Sequence, residues 1–147
     1  MALIEHPKAR FDYEILETFE AGLELFGHEV KTLRKHQGSL LGAYVVVRGG
    51  EAYLVGASIP PYQQNNVPKE YDPARPRRLL LSKKELGALS NTESTKGLTL
   101  VPISVYNKGR VLKLSLGIAR GKKKFDKRET IKKRETDREV RRTLKNQ

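Results

Sequence analysis

The chain of 147 residues has no cysteine and no long apolar run. Without cysteine, it can form neither a disulfide nor a thiolate that would ligate a metal or act as a nucleophile. No apolar stretch approaches the roughly 18 to 20 residues that are needed to cross a bilayer, and the N-terminus lacks the apolar region of a signal peptide. We therefore expect a cytoplasmic protein with no membrane partner.

Catalytic and metal-binding motifs are also missing. The three histidines, His6, His28 and His36, are separated by intervals that match no zinc or nucleophile motif, and a solvated position on the surface accounts for them. No segment resembles Gly-x-Ser-x-Gly or a metallopeptidase helix. We predict that the protein is not an enzyme and that it has no catalytic residue, no metal site and no cofactor.

Lysine and arginine, in contrast, are abundant and unevenly distributed. The chain has 29 Lys and Arg against 17 Asp and Glu, a formal net charge of +12. Residues 120–147 hold thirteen of these basic residues, only five acidic ones and few apolar side chains. Such a segment cannot bury enough surface to offset its ordering entropy. We expect a folded core over 1–119, a basic tail over 120–147 that is disordered when free, and a phosphate-rich partner.

The first half of the core predicts strands and one short helix. Apolar residues alternate over 11–26, which favours a long strand with a bend or bulge at Gly22, although an amphipathic helix is the competing interpretation. Residues 27–38 predict a short helix that ends near Gly38. Two alternating segments, 43–48 and 51–56, flank Gly49 and Gly50 and predict a tight hairpin.

The second half predicts a long loop, a helix and another hairpin. Five prolines over 60–78 predict an exposed loop with a basic exit. Ser82 and Glu85 have the spacing of a capping box for a helix over about 83–89. Alternation over 98–106 and 110–118 predicts a hairpin, with Pro102 at an edge or bulge. At least five strands and two short helices are typical of a small, partly open β-barrel closed by a helix.

Two patterns concern the basic tail. The glycine-containing segment 117–121 before the lysines predicts a hinge. Basic residues then recur every three or four positions, so that a helix would align five cations and one isoleucine on one face: Lys127, Ile131, Arg134, Arg138, Arg141 and Lys145. We predict a tail that becomes helical along a phosphate-lined groove, and a tail that only improves solubility is the alternative.

Five blocks of the sequence carry a family resemblance that spans almost the whole chain. They are 9–22 (ARFDYEILETFEAG), 27–34 (GHEVKTLR), 72–81 (DPARPRRLLL), 96–102 (KGLTLVP) and 121–128 (GKKKFDKR). In order and spacing these blocks resemble bacterial small protein B, the transfer-messenger RNA-binding protein of trans-translation. The resemblance implies an oligonucleotide-binding-type (OB) antiparallel barrel with flanking helices, and no catalytic step.

The resemblance also implies the partners. One molecule would bind the tRNA-like domain of each transfer-messenger RNA and accompany it to a stalled ribosome. The tail would enter the empty mRNA channel of the small subunit and fold as a helix near the decoding centre. This expectation agrees with the ordering on a polyanion that charge and spacing predict.

The family's RNA-binding positions map onto Glu20, Leu80 and Ser82, although the family usually has Asn or His where this chain has Ser82. We expect further RNA contacts from five basic residues of the core: Lys31, Arg34, Arg75, Arg77 and Arg78. In the tail, Phe125 stands where the family usually has Tyr or His. The residues predicted to engage the ribosome are Lys122, Lys123, Lys124, Phe125, Asp126, Lys127, Arg128, Ile131, Lys132, Lys133 and Arg134.

Two other functions compete with this hypothesis. A general single-strand RNA-binding or ribosome-assembly protein would use the same kind of barrel with a nonspecific basic arm, because fold alone does not define function. A nuclease would need an acid, a base or a metal cluster, none of which the sequence offers.

Overall fold

A computed structural model describes residues 2–62 and 67–122, which form seven strands and three helices. The strands are β1 (Ala2–Glu5), β2 (Tyr13–Leu23), β3 (Tyr44–Arg48), β4 (Glu51–Val55), β5 (Arg77–Leu80), β6 (Thr99–Lys108) and β7 (Val111–Gly121). The helices are α1 (Ala9–Asp12), α2 (Gly27–Arg34) and α3 (Lys83–Ser94).

All seven strands belong to one antiparallel sheet with the order β1-β6-β7-β2-β5-β4-β3. The sheet curls so that β3 at one edge lies beside β6, and α3 packs on both strands. The backbone of β3 is covered there, because Val47 donates its N–H to Glu93 of α3. The prediction of a mainly β, antiparallel fold flanked by short helices is confirmed.

The core fills the concave side of this curled sheet. Leu54, Leu79, Leu114 and Leu116 are almost completely buried, and Leu33 of α2 joins them. Each fully buried leucine contributes roughly 1.5 to 3 kcal/mol relative to an exposed one. Because strand residues alternate between faces, the same strands present their intervening residues on the convex side.

The predicted hairpins are confirmed. Strands β3 and β4 are joined by Gly49 and Gly50 at φ angles of 58° and 77°, which glycine adopts without strain. Strands β6 and β7 are joined through Gly109, and their register shifts between Pro102 and Ser104. The predicted bulge beside Pro102 is therefore present.

The segment 11–26 differs from its prediction in two ways. A single helical turn, α1, precedes the strand, so that β2 begins at Tyr13. The register shift of β2 lies between Ile15 and Glu17, which makes Leu16 the extra residue, and the predicted bulge at Gly22 is wrong. Gly22 has a different role, since it lies directly opposite Leu80 of β5.

Both predicted helices of the core are present. Helix α2 begins at Gly27 and ends at Arg34. Helix α3 has the predicted capping box, in which Glu85 donates its N–H to the Ser82 hydroxyl at 3.2 Å and Ser82 donates its N–H to the Glu85 carboxylate at 3.1 Å. It ends at Ser94 and so exceeds the predicted end at 89, because Leu89 and Thr92 are buried on its inner face.

The end of β7 corrects the predicted hinge at 117–121. These residues pair with β2 as far as Gly121, which lies opposite Tyr13. The backbone N–H of Lys122 then donates to the backbone carbonyl of Asp12 at 2.8 Å. The regular core therefore extends beyond the predicted boundary at 119.

Residues 123–147, with all the predicted tail contacts except Lys122, lie outside the described residues. No helix in the described ranges is long and apolar enough to span a membrane.

Candidate RNA-binding surface

The convex side of the sheet carries a row of side chains that spans four strands. Tyr106 of β6 pairs with Lys113 of β7, Lys113 with Gly22 of β2, and Gly22 with Leu80 of β5. Residues paired in this way project to the same face. The row and its neighbours form the surface that we call the outer sheet face: Glu20, Leu80, Tyr106, Lys108 and Lys113.

Glu20 lies at the centre of this face with both carboxylate oxygens engaged. Lys108 donates from Nζ to Oε1 at 2.7 Å, and the Tyr106 hydroxyl donates to Oε2. The hydrogen bond from Lys108 is the main cause that lowers the pKa of Glu20, and the one from Tyr106 adds to it. Burial, followed by the hydrogen bond to Glu20, raises the pKa of Tyr106 to about 12. Glu20 is thus an anion that orients a cation and a phenol.

Gly22 allows Leu80 to reach the outer sheet face. A Cβ atom at position 22 would lie 3.0 Å from Cβ of Leu80 and 3.3 Å from its Cδ1. Leu80 stays 47% exposed, whereas Leu79 beside it is 1% exposed. The structure therefore brings the predicted residues Glu20 and Leu80 to one surface, next to two lysines.

Arg78 lies on the same strand as Leu80 and is exposed, as predicted. Its guanidinium donates to Glu51 at 3.0 and 3.3 Å and to Glu24 at 3.2 Å. The hydrogen bonds to Glu51, then those to Glu24, raise the pKa of Arg78. Its charge is partly neutralised within the protein, so a phosphate would have to compete with two carboxylates.

Arg77, which was predicted to contact RNA, is completely buried, so its guanidinium does not reach the surface of this structure. Strand alternation turns Arg77 inward together with Leu79. Its Nε and Nη2 donate to Glu29 of α2 at 3.0 and 2.7 Å, and Nη1 donates to the carbonyl of Ala57 at 2.8 Å. Further bonds reach Arg75 O, Tyr71 Oη and Pro73 O. Arg77 instead holds the loop before β5 against α2.

Glu29 is the fully buried acceptor at the centre of this network. It takes hydrogen bonds from Arg75, Arg77, the Tyr71 hydroxyl and the Phe26 N–H. Burial alone raises the pKa of Glu29, but the hydrogen bonds, first those from Arg75, outweigh burial and hold the pKa at about 2. Burial, then the hydrogen bond to Glu29, raises the pKa of Tyr71 to about 12. Glu29 therefore stays ionised at neutral pH.

Three predicted residues are occupied by contacts within the protein. Arg75 pairs with Glu29, and its guanidinium carbon lies 4.0 Å from the centre of the Phe26 ring. Arg34 donates from Nη2 to the carbonyl of Arg110 at 2.8 Å and so anchors the turn that follows Lys108. Ser82 caps α3 with its hydroxyl oxygen as the acceptor, which leaves the hydroxyl hydrogen able to donate.

The last two predicted residues in the described ranges are lysines. Lys31 is exposed on α2, and its Nζ lies 5.9 Å from the centre of the Tyr62 ring. Lys122, from the predicted tail, donates from Nζ to the carbonyl of Arg10 at 2.8 Å. No group of three or more potential metal ligands occurs within the described ranges.

Sequence reasoning missed Tyr106, Lys108 and Lys113 as candidates. The alternation of β6 and β7 places them outward, but only the strand register reveals that they lie beside Glu20. Phe26 and Glu29 were also missed, because the side chains that bind Glu29 lie 42 to 48 residues away in the chain.

Comparisons with known proteins agree on one family. The family model for SmpB protein matches residues 3–146. The SsrA-binding protein of Mesoplasma florum is 47% identical over 138 residues, which cover 94% of this chain and 93% of that protein. The SsrA-binding protein of Ligilactobacillus salivarius is 48% identical over 145 residues and covers 99% of this chain and 93% of its own length.

A solved structure, described as tmRNA-SmpB at the centre of the bacterial ribosome, has the same fold. It superposes with a TM-score of 0.68 at 46% identity and covers 82% of this chain and 84% of its own. The matched family model, the identity over nearly the full length and the common fold lead to one assignment. This chain belongs to the SmpB family.

Proposed function

We propose that this protein is an SsrA-binding protein: it binds the tRNA-like domain of transfer-messenger RNA and delivers that RNA to stalled ribosomes for trans-translation. Membership of the SmpB family, whose relatives include SsrA-binding proteins and a tmRNA-SmpB structure, supports this proposal. The activity belongs in the cytoplasm, with the ribosomes, and requires no chemical step.

One observation supports the position of the binding site: Glu20, Leu80 and Lys108 lie together on the outer sheet face. Lys113 neutralises a phosphate and releases its counterions, and Lys108 does so in competition with Glu20, which together provides affinity. Leu80 offers an apolar contact for a base or a sugar.

Glu20 and Tyr106 provide selectivity. The two Glu20 oxygens retain lone pairs beyond those used by Tyr106 and Lys108, so the carboxylate also accepts from a base amino group or a ribose 2′-hydroxyl. The Tyr106 oxygen accepts a further hydrogen bond while its proton is donated to Glu20. The 2′-hydroxyl is the group that distinguishes RNA from DNA at such a site.

The basic tail has the second role. We propose that residues beyond Lys122 occupy the empty mRNA channel near the decoding centre, on the basis of their charge and the family's Asp-Lys-Arg sequence at Asp126, Lys127 and Arg128.

A competition experiment tests the choice of RNA. The protein is bound to a labelled transcript of the tRNA-like domain and challenged with an unstructured RNA of equal length. We expect the unstructured RNA to compete far less well than the unlabelled tRNA-like domain. Equal competition would reject the proposal in favour of a general single-strand RNA-binding protein.

A further inference from the structure

A second surface feature lies beyond the outer sheet face. A cavity of about 420 Å³ opens between the start of α2 and the segment that leads into β5. Its walls are largely aromatic and apolar, and the residues that line it are Phe26, His28, Pro68, Glu70 and Tyr71. The contacts proposed above for the outer sheet face use none of these side chains.

Phe26 is an unusual residue for its position. It is the N-cap of α2, where Ser, Thr, Asp or Asn is preferred because the side chain can accept a backbone hydrogen bond. Glu29 provides the polar contact here by accepting the Phe26 N–H at 2.7 Å. The phenyl ring is 51% exposed, so neither helix capping nor burial accounts for it.

Arg75 lies on the Phe26 ring and is held there. Its guanidinium carbon is 4.0 Å from the ring centre, and the same guanidinium is bonded to the buried Glu29 carboxylate. Glu29 in turn is fixed by Arg77 and Tyr71. The stacked pair is therefore oriented before any ligand arrives, which reduces the entropic cost of binding.

The other two rings of the cavity contact Phe26 and are also held in place. The His28 and Tyr71 rings meet edge to face with centroids 4.5 Å apart, and the Tyr71 hydroxyl donates to Glu29 and to the carbonyl of Ile59. Both His28 ring nitrogens are buried and have no hydrogen-bond partner in the part of the chain that the structure describes. An unsatisfied buried group costs stability, and such local costs concentrate at functional sites.

The cavity lies close in sequence to the end of β2 and so to the outer sheet face. Along β2, Glu20 is followed by Gly22 opposite Leu80, and Glu24 then extends the ladder by donating its N–H to Arg78 O at 3.0 Å. Phe26 comes two residues later. Six residues span at most about 20 Å even when fully extended, so an RNA that contacts Glu20 is long enough to reach Phe26.

We propose that the Phe26 cavity receives one unpaired nucleobase of the RNA that the outer sheet face binds. This inference rests on the proposed function and adds a base-binding subsite to it. Unpaired bases of structured RNA stack on aromatic rings, and the rings of Phe26, His28 and Tyr71 line this cavity. Its apolar walls suit the flat face of a base, and Arg75, which is held by Glu29, fixes the position of the Phe26 ring.

Phe26→Ala tests the proposal with a transcript of the tRNA-like domain. Because stacking on an aromatic side chain contributes about 1 to 3 kcal/mol per base, the dissociation constant should rise roughly 5- to 150-fold. Phe26→Leu keeps the apolar volume without the aromatic face and should weaken binding as well, whereas Phe26→Tyr should restore it. Leu41→Ala removes another exposed apolar side chain and serves as the matched control.

Chemical probing of the RNA supplies a readout that general destabilisation of the protein would not produce. With the wild-type protein, the base of one unpaired nucleotide should be protected from the chemical probe. With Phe26→Ala, this one base should become reactive, while the protection of the RNA backbone at other positions should persist. Wild-type affinity and unchanged base reactivity in Phe26→Ala would overturn this inference. Failure of the wild-type protein to prefer the tRNA-like domain would instead overturn the proposed function.

Discussion

Lys108 and Glu20 form one ion pair on the outer sheet face, yet their variants should behave differently. Lys108→Met removes a phosphate contact, so the logarithmic salt slope of RNA binding should fall in magnitude by about 0.7 to 0.9. Glu20→Gln removes the charge that orients Lys108 and Tyr106, and it should weaken binding without reducing the slope. Binding titrations at several salt concentrations measure both effects, with Lys96→Met as the control.

The sign of the Glu20 effect is informative. If Glu20 merely repelled phosphate, removing its charge would tighten binding to RNA at low salt. Tighter binding by Glu20→Gln would therefore contradict the orienting role that its two hydrogen bonds indicate.

Gly22 provides a second test at the residue scale. Gly22→Ala places a methyl group about 3.0 Å from Leu80 Cβ, so Leu80 must shift on the outer sheet face. Overpacking of this kind typically costs about 1 to 3 kcal/mol, and we expect lower stability together with weaker RNA binding. Gly27→Ala is the matched control, because its Cβ would have no neighbour within 4 Å. Unaltered RNA affinity in a folded Gly22→Ala protein would argue against a contact from Leu80.

Glu29 links the stability of the core to pH. Its pKa is about 2 in the folded protein and near 4.5 in an unperturbed glutamate side chain, so the stabilisation it provides is present above pH 4.5 and is lost as the pH falls towards 2. The shift corresponds to about 3 kcal/mol. Denaturant unfolding should show a large deficit for Glu29→Gln at pH 7 that shrinks below pH 4. A deficit that is the same at pH 7 and pH 3 would contradict this account.

At the scale of elements, local signals predicted local structure. The glycine pair at 49–50 and the capping spacing of Ser82 and Glu85 specify a turn and a helix start by chemistry within a few residues, and both are present. The strand order depends on contacts between residues that are distant in sequence, and so does the burial of Arg77. Arg77 is basic and follows a proline-rich loop, but strand alternation turns it inward to a carboxylate 48 positions away. A single sequence does not reveal that pairing.

Ser82 has two roles, one in the capping of α3 and one in the proposed contact with RNA. Its hydroxyl oxygen caps α3, so Ser82→Ala should lower the unfolding free energy by about 1 kcal/mol. Ser82→Asp keeps a capping acceptor but replaces the hydroxyl donor with a negative charge. We therefore expect Ser82→Asp to retain thermal stability and to lose RNA affinity, as measured by thermal unfolding and by titration. Full RNA affinity in Ser82→Asp would restrict Ser82 to its capping role.

At the scale of the whole molecule, the end of β7 determines where core and tail are best separated. Gly121 pairs with Tyr13, and Lys122 is bonded to Asp12 and Arg10, so truncation after residue 119 removes part of the sheet. Truncation after Lys122 keeps these contacts. We expect the protein of residues 1–122 to be as stable as the full chain in thermal unfolding, and the protein of residues 1–119 to be less stable.

The same truncation separates the two proposed roles. Residues 1–122 retain the outer sheet face and the Phe26 cavity, so affinity for the tRNA-like domain should remain close to that of the full chain at moderate salt. Rescue of stalled ribosomes should be abolished, because the segment proposed for the mRNA channel is missing. A translation extract programmed with an mRNA that lacks a stop codon measures rescue as tagged product. Full rescue by residues 1–122 would show that the tail is dispensable, and loss of RNA binding by the folded truncated protein would place essential contacts beyond Lys122.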